Sequence, residues 1–202
     1  MTMTNAQPMN WLRGLTFAAA AMAATSAFAG EGPRYTYVDL GYERINPDNF
    51  DDDADAGALS GSLAVADHVH LIAGYSYGRL DTHGISVDLE SAEAGAGLNF
   101  PLTNTIDFVA EAAYLWAKVD ADQFGSEDDD GYGVQVGLRA MLTPKFELNG
   151  GVSYTDVSDS ETAGFLGVVY SFTDVFAMTA GVSVGQDVTS YGAGVRFYLG
   201  NR

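Results

Sequence analysis

The sequence predicts an all-β fold: a transmembrane, antiparallel, up-and-down β-barrel of ten strands. Three observations predict it. Extended segments alternate apolar with small, polar or charged residues at a period of two. The connections between them alternate between long acidic stretches and short neutral turns. Aromatic residues on the apolar face sort toward the two ends of the segments. Eight strands, with one hairpin folded into a loop, is the alternative count.

The clearest segment is Gly131 to Thr155. Tyr132, Val134, Val136, Leu138, Ala140 and Leu142 alternate with Gly133, Gln135, Gly137, Arg139 and Met141; after the turn Thr143-Pro144-Lys145, Phe146, Leu148, Gly150, Val152 and Tyr154 alternate with Glu147, Asn149, Gly151, Ser153 and Thr155. An arm of roughly 11 residues, at ~3.3 Å per residue and a tilt of about 40°, rises ~28 Å, the height of a bilayer's hydrocarbon core. One face of the hairpin therefore suits lipid and the other a protein interior.

In chain order, residues 1–29 read as a secretory leader. Arg13 precedes an apolar run from Leu15 to Ala24, and Ala27-Phe28-Ala29 fits a small-x-small cleavage site, which starts the mature chain at Gly30. Met1 and Met9 are both possible starts. The run is too short and too rich in Ala for a membrane-spanning helix. The chain has no Cys, which excludes a lipoprotein anchor, disulfides and thiolate metal sites.

Residues 30–202 form one domain's length. The chain has 27 acidic against 9 basic residues, a net charge of −18, and losing Arg13 with the leader makes it −19. That excludes nucleic acid as a partner, since such binding needs basic patches. With 47% hydrophobic residues the chain folds, so the charge must be segregated.

Strands are expected near 34–45, 57–66, 69–80, 86–100, 105–118, 131–142, 146–156, 162–172, 175–186 and 189–199. The long connections carry Asp48, Asp51, Asp52, Asp53 and Asp55; Asp81 and Asp88; Asp120, Asp122, Glu127, Asp128, Asp129 and Asp130; Asp156, Asp159 and Glu161; and Asp187. The short ones are Asp67-His68, 101–104, 143–145 and Thr173-Asp174. Long outer loops and short periplasmic turns are the pattern of outer-membrane barrels, and ten strands leave both ends on the periplasmic side. A weak repeat follows each short turn: VHLIAGYSY, IDFVAEAAY, FELNGGVSY and FAMTAGVSV. Tyr42, Tyr77, Trp116, Tyr132 and Tyr154 lie near the loop ends, and Phe100, Phe108, Phe146, Tyr170, Phe172 and Phe176 near the turns. A soluble β-sandwich would place Lys, Glu and Thr where this chain places Leu, Val, Ala and aromatics. An unsatisfied backbone group costs several kcal/mol in hydrocarbon, so the sheet must close.

Thr36 to Glu43 (TYVDLGYE), His70 to Ser76 (HLIAGYS), Gly131 to Glu147 and the closing GVRFYL resemble a family of small outer-membrane barrels of xanthomonad type, OmpX/OmpA-like porin-fold barrels. Some members are described as quorum-sensing or secreted signal proteins. The resemblance implies an outer-membrane location and brings no catalytic residue; a full-length barrel is a poor diffusible signal. The closing strand, Ser190 to Leu199, is similar to the terminal signal read by the barrel-assembly machinery, although Gly200-Asn201-Arg202 extend past it. Outer-membrane lipid and lipopolysaccharide are the remaining expected partners.

Candidate functional residues fall into two groups. Asp39, Glu43, Glu93, Glu111 and Glu147 face inward with Arg139 and Arg196. Glu111 with Arg139, and Arg196 with Asp39, are the expected pairs. They make either a polar plug or a charged constriction in a pore; a barrel this narrow favours the plug. The second group is Asp120, Asp122, Glu127, Asp128, Asp129 and Asp130, which can bind Ca²⁺ or Mg²⁺ loosely. It is not an EF-hand, because Phe124 and Gly131 occupy ligand positions. No cofactor is required. His83 near Asp81 and Ser86 is the only hint of catalysis, and no nucleophile or oxyanion site accompanies it. A closed barrel with a structural or surface-interaction role is the leading function, a narrow pore for small solutes or cations the second, and an outer-rim enzyme a distant third.

Overall fold

The structure, a computed structural model, describes residues 32–47, 53–82, 85–121 and 125–199. The expected leader and residues Asp48, Asp51, Asp52, His83 and Asp122 lie outside these. Ten strands follow in order: β1 (Tyr37–Pro47), β2 (Ala54–Ala66), β3 (Val69–Thr82), β4 (Ile85–Pro101), β5 (Ile106–Ala121), β6 (Gly125–Thr143), β7 (Phe146–Val157), β8 (Asp159–Ser171), β9 (Phe176–Val184) and β10 (Val188–Tyr198). Each pairs antiparallel with its neighbour in sequence, and β10 pairs back onto β1 to close the barrel. Tyr37 lies opposite Tyr198, Leu40 opposite Val195 and Ile45 opposite Ser190. The described residues contain no helix.

The alternation read from the sequence is the alternation of the wall. On β1, Tyr37, Asp39, Glu43 and Ile45 are buried, while Leu40 and Tyr42 are each 51% exposed. On β6, Val134, Val136 and Leu138 are exposed and Arg139 is buried. At the short-turn end of the outer face, Tyr170, Phe172, Phe176 and Phe197 form a chain of ring contacts with centroids 5.0, 5.8 and 5.6 Å apart. Tyr132 and Tyr154 meet at 6.2 Å at the other end.

The short turns share a device. Thr103, Thr143 and Thr173 each accept, through the side-chain hydroxyl, an amide N–H two residues on, and Thr143 and Thr173 also accept one three residues on, at 3.0–3.2 Å. Such local bonds satisfy backbone donors where the ladder stops.

The strand ends differ from expectation at the long-connection end. β6 begins at Gly125 rather than 131, β5 runs on to Ala121, and β2 begins at Ala54. The acidic stretches are thus largely strand: Glu127, Asp128, Asp129 and Asp130 pair with β5 from Val119 down to Trp116. Charge is compatible with a strand where the strand stands in water, which an alternation rule tuned to apolar residues does not register. The first strand also starts later than expected, and residues 34–36 do other work, described below.

If β1 and β10 close the barrel in this register, Leu40→Cys with Val195→Cys forms a disulfide on mild oxidation, in a chain with no other Cys. Leu40→Cys with Leu199→Cys, displaced by about 13 Å along the strand, does not. Non-reducing gel migration of the folded protein distinguishes the two.

Candidate functional site

The lumen collects the chain's buried charge. At the short-turn end, β10 and β1 place Arg196 beside Asp39: Nε donates to Oδ1 at 2.7 Å and Nη2 to Oδ2 at 2.5 Å. The guanidinium also lies 3.7 Å from the Tyr37 ring centroid. This is the expected pair, and register explains it, since Asp39 and Arg196 are direct cross-strand partners.

The other expected pair is not formed. Arg139 donates through Nε to Glu147 Oε1 at 2.9 Å, and Glu111 lies elsewhere. Arg139 stands opposite Asp107 on β5 and Asn149 on β7, whereas Glu111 stands opposite Gln135. Four residues of strand, about 13 Å, separate Glu111 from Arg139's partner position. Glu147, two residues from Asn149 on the same inward face, is within reach.

Glu111 instead takes His70 Nε2 at 2.7 Å on one oxygen and Gln135 Nε2 on the other. His70 is the second residue of β3 and is buried on the inward face. Gly97 makes its room: a Cβ there would fall 2.2 Å from His70 Nε2. Parity of position within β3 was the available signal, because His70 shares a face with Ile72 and Gly74.

Sequence reading also missed Tyr35. The segment before β1 turns into the mouth of the barrel. The Tyr35 hydroxyl donates to Asp107 Oδ2 at 2.9 Å, its ring stacks on His70 at 4.7 Å, and the Arg139 guanidinium lies 4.4 Å from its centroid. Ser62 Oγ donates to the Tyr35 carbonyl at 2.9 Å, the Ala64 amide donates to Thr36 Oγ1 at 3.1 Å, and Arg34 Nη1 donates to the Asp174 carbonyl at 2.8 Å. One ring therefore bridges β3, β5 and β6, and the segment is tied across to β2 and to the turn before β9.

The remaining inward carboxylates stand apart from the arginines. Glu93 packs against Gly74, where a Cβ would lie 2.8 Å from its Oε1. Glu43 is 1% exposed, higher in the lumen near Ser190. Beyond it the interior changes character. Ile45, Ala54, Ala56, Leu80, Val87, Leu89, Ala121 and Val188 form one buried apolar cluster, joined by Val119. Leu115, Ala117 and Val157 form a second. The lumen is thus polar at the short-turn end and apolar on the β10–β5 side of the opposite end.

The described members of the second candidate group, Asp120, Glu127, Asp128, Asp129 and Asp130, do not share one face. Glu127 and Asp129 alternate along β6 with Asp128 and Asp130, so neighbours in sequence point to opposite faces. Asp120 faces outward on β5 beside Lys118, at 3.5 Å. Among the described residues no three His, Asp or Glu are placed to hold a metal ion. With His83 outside the described residues, the outer-rim catalytic reading has no geometry to rest on.

A closed ten-strand barrel with an apolar outside and charged inside narrows the comparison with known proteins. The family described as "Outer membrane protein beta-barrel domain" matches residues 15–185. The chain belongs to that family. Membership places this outer-membrane barrel in the bacterial outer membrane and reaches no finer branch. No curated protein matches its sequence. Among solved structures, the NanC porin is 10% identical, covering 80% of this chain and 100% of that one, with a TM-score of 0.53. The translocator domain of the autotransporter NalP from Neisseria meningitidis is 10% identical over 82% of this chain and 89% of that one, at 0.50. Ail, the attachment invasion locus protein of Yersinia pestis, solved with the heparin analogue sucrose octasulfate, is 17% identical over 80% and 97%, at 0.45. These likenesses are likenesses of fold.

The pairing inside this barrel is open to a double-mutant cycle. Arg139→Ala leaves Glu147 buried without its cation and costs about 3–5 kcal/mol. Arg139→Ala with Glu147→Ala is non-additive by more than about 1 kcal/mol, whereas Arg139→Ala with Glu111→Ala is additive within about 0.5 kcal/mol. Urea unfolding in lipid or detergent measures both.

Proposed function

We propose that the protein is a closed, non-conducting barrel whose role is structural and interactive: it spans the outer membrane and presents an acidic rim to the surroundings. The observation that carries this reading is Tyr35, held across the short-turn mouth by Asp107, His70 and Arg139. The Arg139–Glu147 and Arg196–Asp39 pairs are buried in the lumen at the same end, and the apolar cluster around Leu80 and Val87 packs one side of the other end. The short-turn end is periplasmic in this reading, and residues 1–29 are a leader removed on export, so that the protein recovered from membranes begins at Gly30. Mass measurement of its N-terminal peptide checks this, and a retained Leu15–Ala24 segment would contradict it.

A specific observation favours a narrow cation pore as the second reading. The inward carboxylates Asp39, Glu43, Glu93, Asp107, Glu111 and Glu147 outnumber the inward arginines Arg139 and Arg196. Any path through the lumen would therefore prefer cations.

Planar-bilayer recording separates the two. The closed barrel gives no current above baseline at high incorporation. Arg139→Ala or Tyr35→Gly, which loosen the stopper, introduce a cation-selective leak. A steady wild-type current, merely shifted in ion preference by Arg139→Ala, would sink the closed reading.

A further inference from the structure

The burial of inward residues follows one pattern around the barrel. On β1, Gly41 is partly exposed between buried Asp39 and Glu43; on β3, Gly74 lies so between Ile72 and Ser76; on β10, Gly192 and Gly194 lie so between Ser190 and Arg196. The other strands repeat the pattern at mid-height, with one exception. On β8, Glu161, Ala163, Phe165 and Gly167 are all partly exposed, and burial begins only at Val169. The middle of the lumen is therefore a chamber with accessible walls. It is packed toward the turns, and toward the loop end it is bounded except along β8.

We propose that this chamber is a binding cup for small primary ammonium ions, entered from the loop end along β8 and anchored at Glu93. The cup rests on the closed turn-end mouth of the reading above; the ammonium site does not.

Room is the first argument. Glu93 lies flat over Gly74, where a Cβ would fall 2.8 Å from its Oε1, and Phe165 lies flat over Gly151, where a Cβ would fall 3.0 Å from its Cζ. Glycine beneath each long side chain lets it fold onto the wall and leaves the middle of the lumen free.

Uncompensated charge is the second. Arg139 and Arg196 are committed to Glu147 and Asp39 at the turn end. The charge that bears on Glu93 is that of Glu111, another carboxylate. At the chamber's edge Glu43 is 1% exposed, and its Oε1 has no hydrogen-bond partner among the described residues. Carboxylates enclosed without a cation are costly, so a ligand that supplies one is favoured. Glu161 stands at the entrance near Asp187, and this acidic lip admits cations ahead of anions.

The chemistry of the donor set selects the ligand. Among the described residues no three His, Asp or Glu are placed to hold a metal ion. An alkylammonium brings three directed N–H donors of its own. Ser76 and Ser91, with hydroxyls 2.7 Å apart, lie on the inward face two residues from Gly74 and from Glu93, and Ser60 stands opposite Gly74. One carboxylate among hydroxyl acceptors fits an ammonium head, and the Phe165 ring offers apolar surface to a short alkyl chain.

The test uses the full folded protein in detergent, with butylammonium as probe. Saturation-transfer NMR on wild type is expected to show transfer to butylammonium and none to butanesulfonate. Ser153→Cys, in the chamber wall on β7, supplies a single thiol in a chain that has no Cys. Its preference for a cationic over an anionic methanethiosulfonate is expected to exceed that of exposed Ser126→Cys by at least about tenfold. Butylammonium slows the cationic reaction, and sodium at the same concentration does not. These arms need no change at Glu93. Glu93→Gln, with heat-modifiable gel migration unchanged, removes the excess preference and the slowing, whereas Asp120→Asn on the outer wall keeps both. An unreactive Ser153→Cys, equal preference at the two thiols, slowing by sodium as well, or a Glu93→Gln variant that keeps the effect would each overturn the proposal. Val109→Cys, buried toward the turns, is expected to stay unreactive. If it reacts as fast as Ser153→Cys, the closed turn end fails, and the ammonium site is still decided by its own arms.

Discussion

Backbone hydrogen bonding in a medium without water governs this molecule. Every N–H and C=O along the wall that faces acyl chains must find a partner in the next strand, and the last strand must return to the first. The ladder from Tyr37–Tyr198 to Pro47–Val188 does this, joining segments more than a hundred residues apart in sequence. The rest follows. Closure forces an inside and an outside, the pleat assigns alternate residues to each, and lipid outside makes the outward set apolar. Ten strands leave an interior too narrow to ignore, so inward residues must be small, paired or packed together.

The interior meets that demand in two ways. At the turn end, charge is met with charge. Asp39 and Glu147 each have an arginine, Glu111 has His70 and Gln135, and Asp107 has the Tyr35 hydroxyl. Burying these ions is costly, and the pairs are tolerable because their hydrogen bonds are short and numerous. At the other end, the chain fills the β10–β5 side with aliphatic side chains instead. The inserted Tyr35 joins the two functions of the turn end, satisfying Asp107 and covering the mouth.

The wall was legible in the sequence and the interior only in part. Strand number, order and facing came from periodicity, because the same alternation recurs in β1, β4, β6, β7 and β10 and lipid imposes it throughout. Asp39 with Arg196 was legible because the first and last strands of a barrel must pair. Arg139 with Glu147 was not, since choosing between Glu111 and Glu147 needs a register correct to within a few residues, and β6 extends further than its apolar part suggests. His70 and Tyr35 were hidden for another reason. Both sit at a strand's edge, where a turn and a lumen position look alike in one dimension. The apolar cluster around Leu80 was hidden because the polarity inverts at that end: Ile45, Leu80, Val87 and Leu89 face inward while their outward neighbours Arg44, Arg79 and Asp88 are charged. Asp55 and Asp120 were placed in long connections, since they look like solvated acids until their cross-strand neighbours Arg79 and Asp88 are known.

Amide hydrogen exchange in a lipid bilayer, read residue by residue, tests the closure on which all of this depends. In a closed barrel the amides of Leu40–Glu43 and Gly192–Val195 that point across the β1–β10 seam are as slow as those of the β5–β6 ladder. If the seam amides exchange freely while β5 and β6 stay protected, the sheet is open and the account fails.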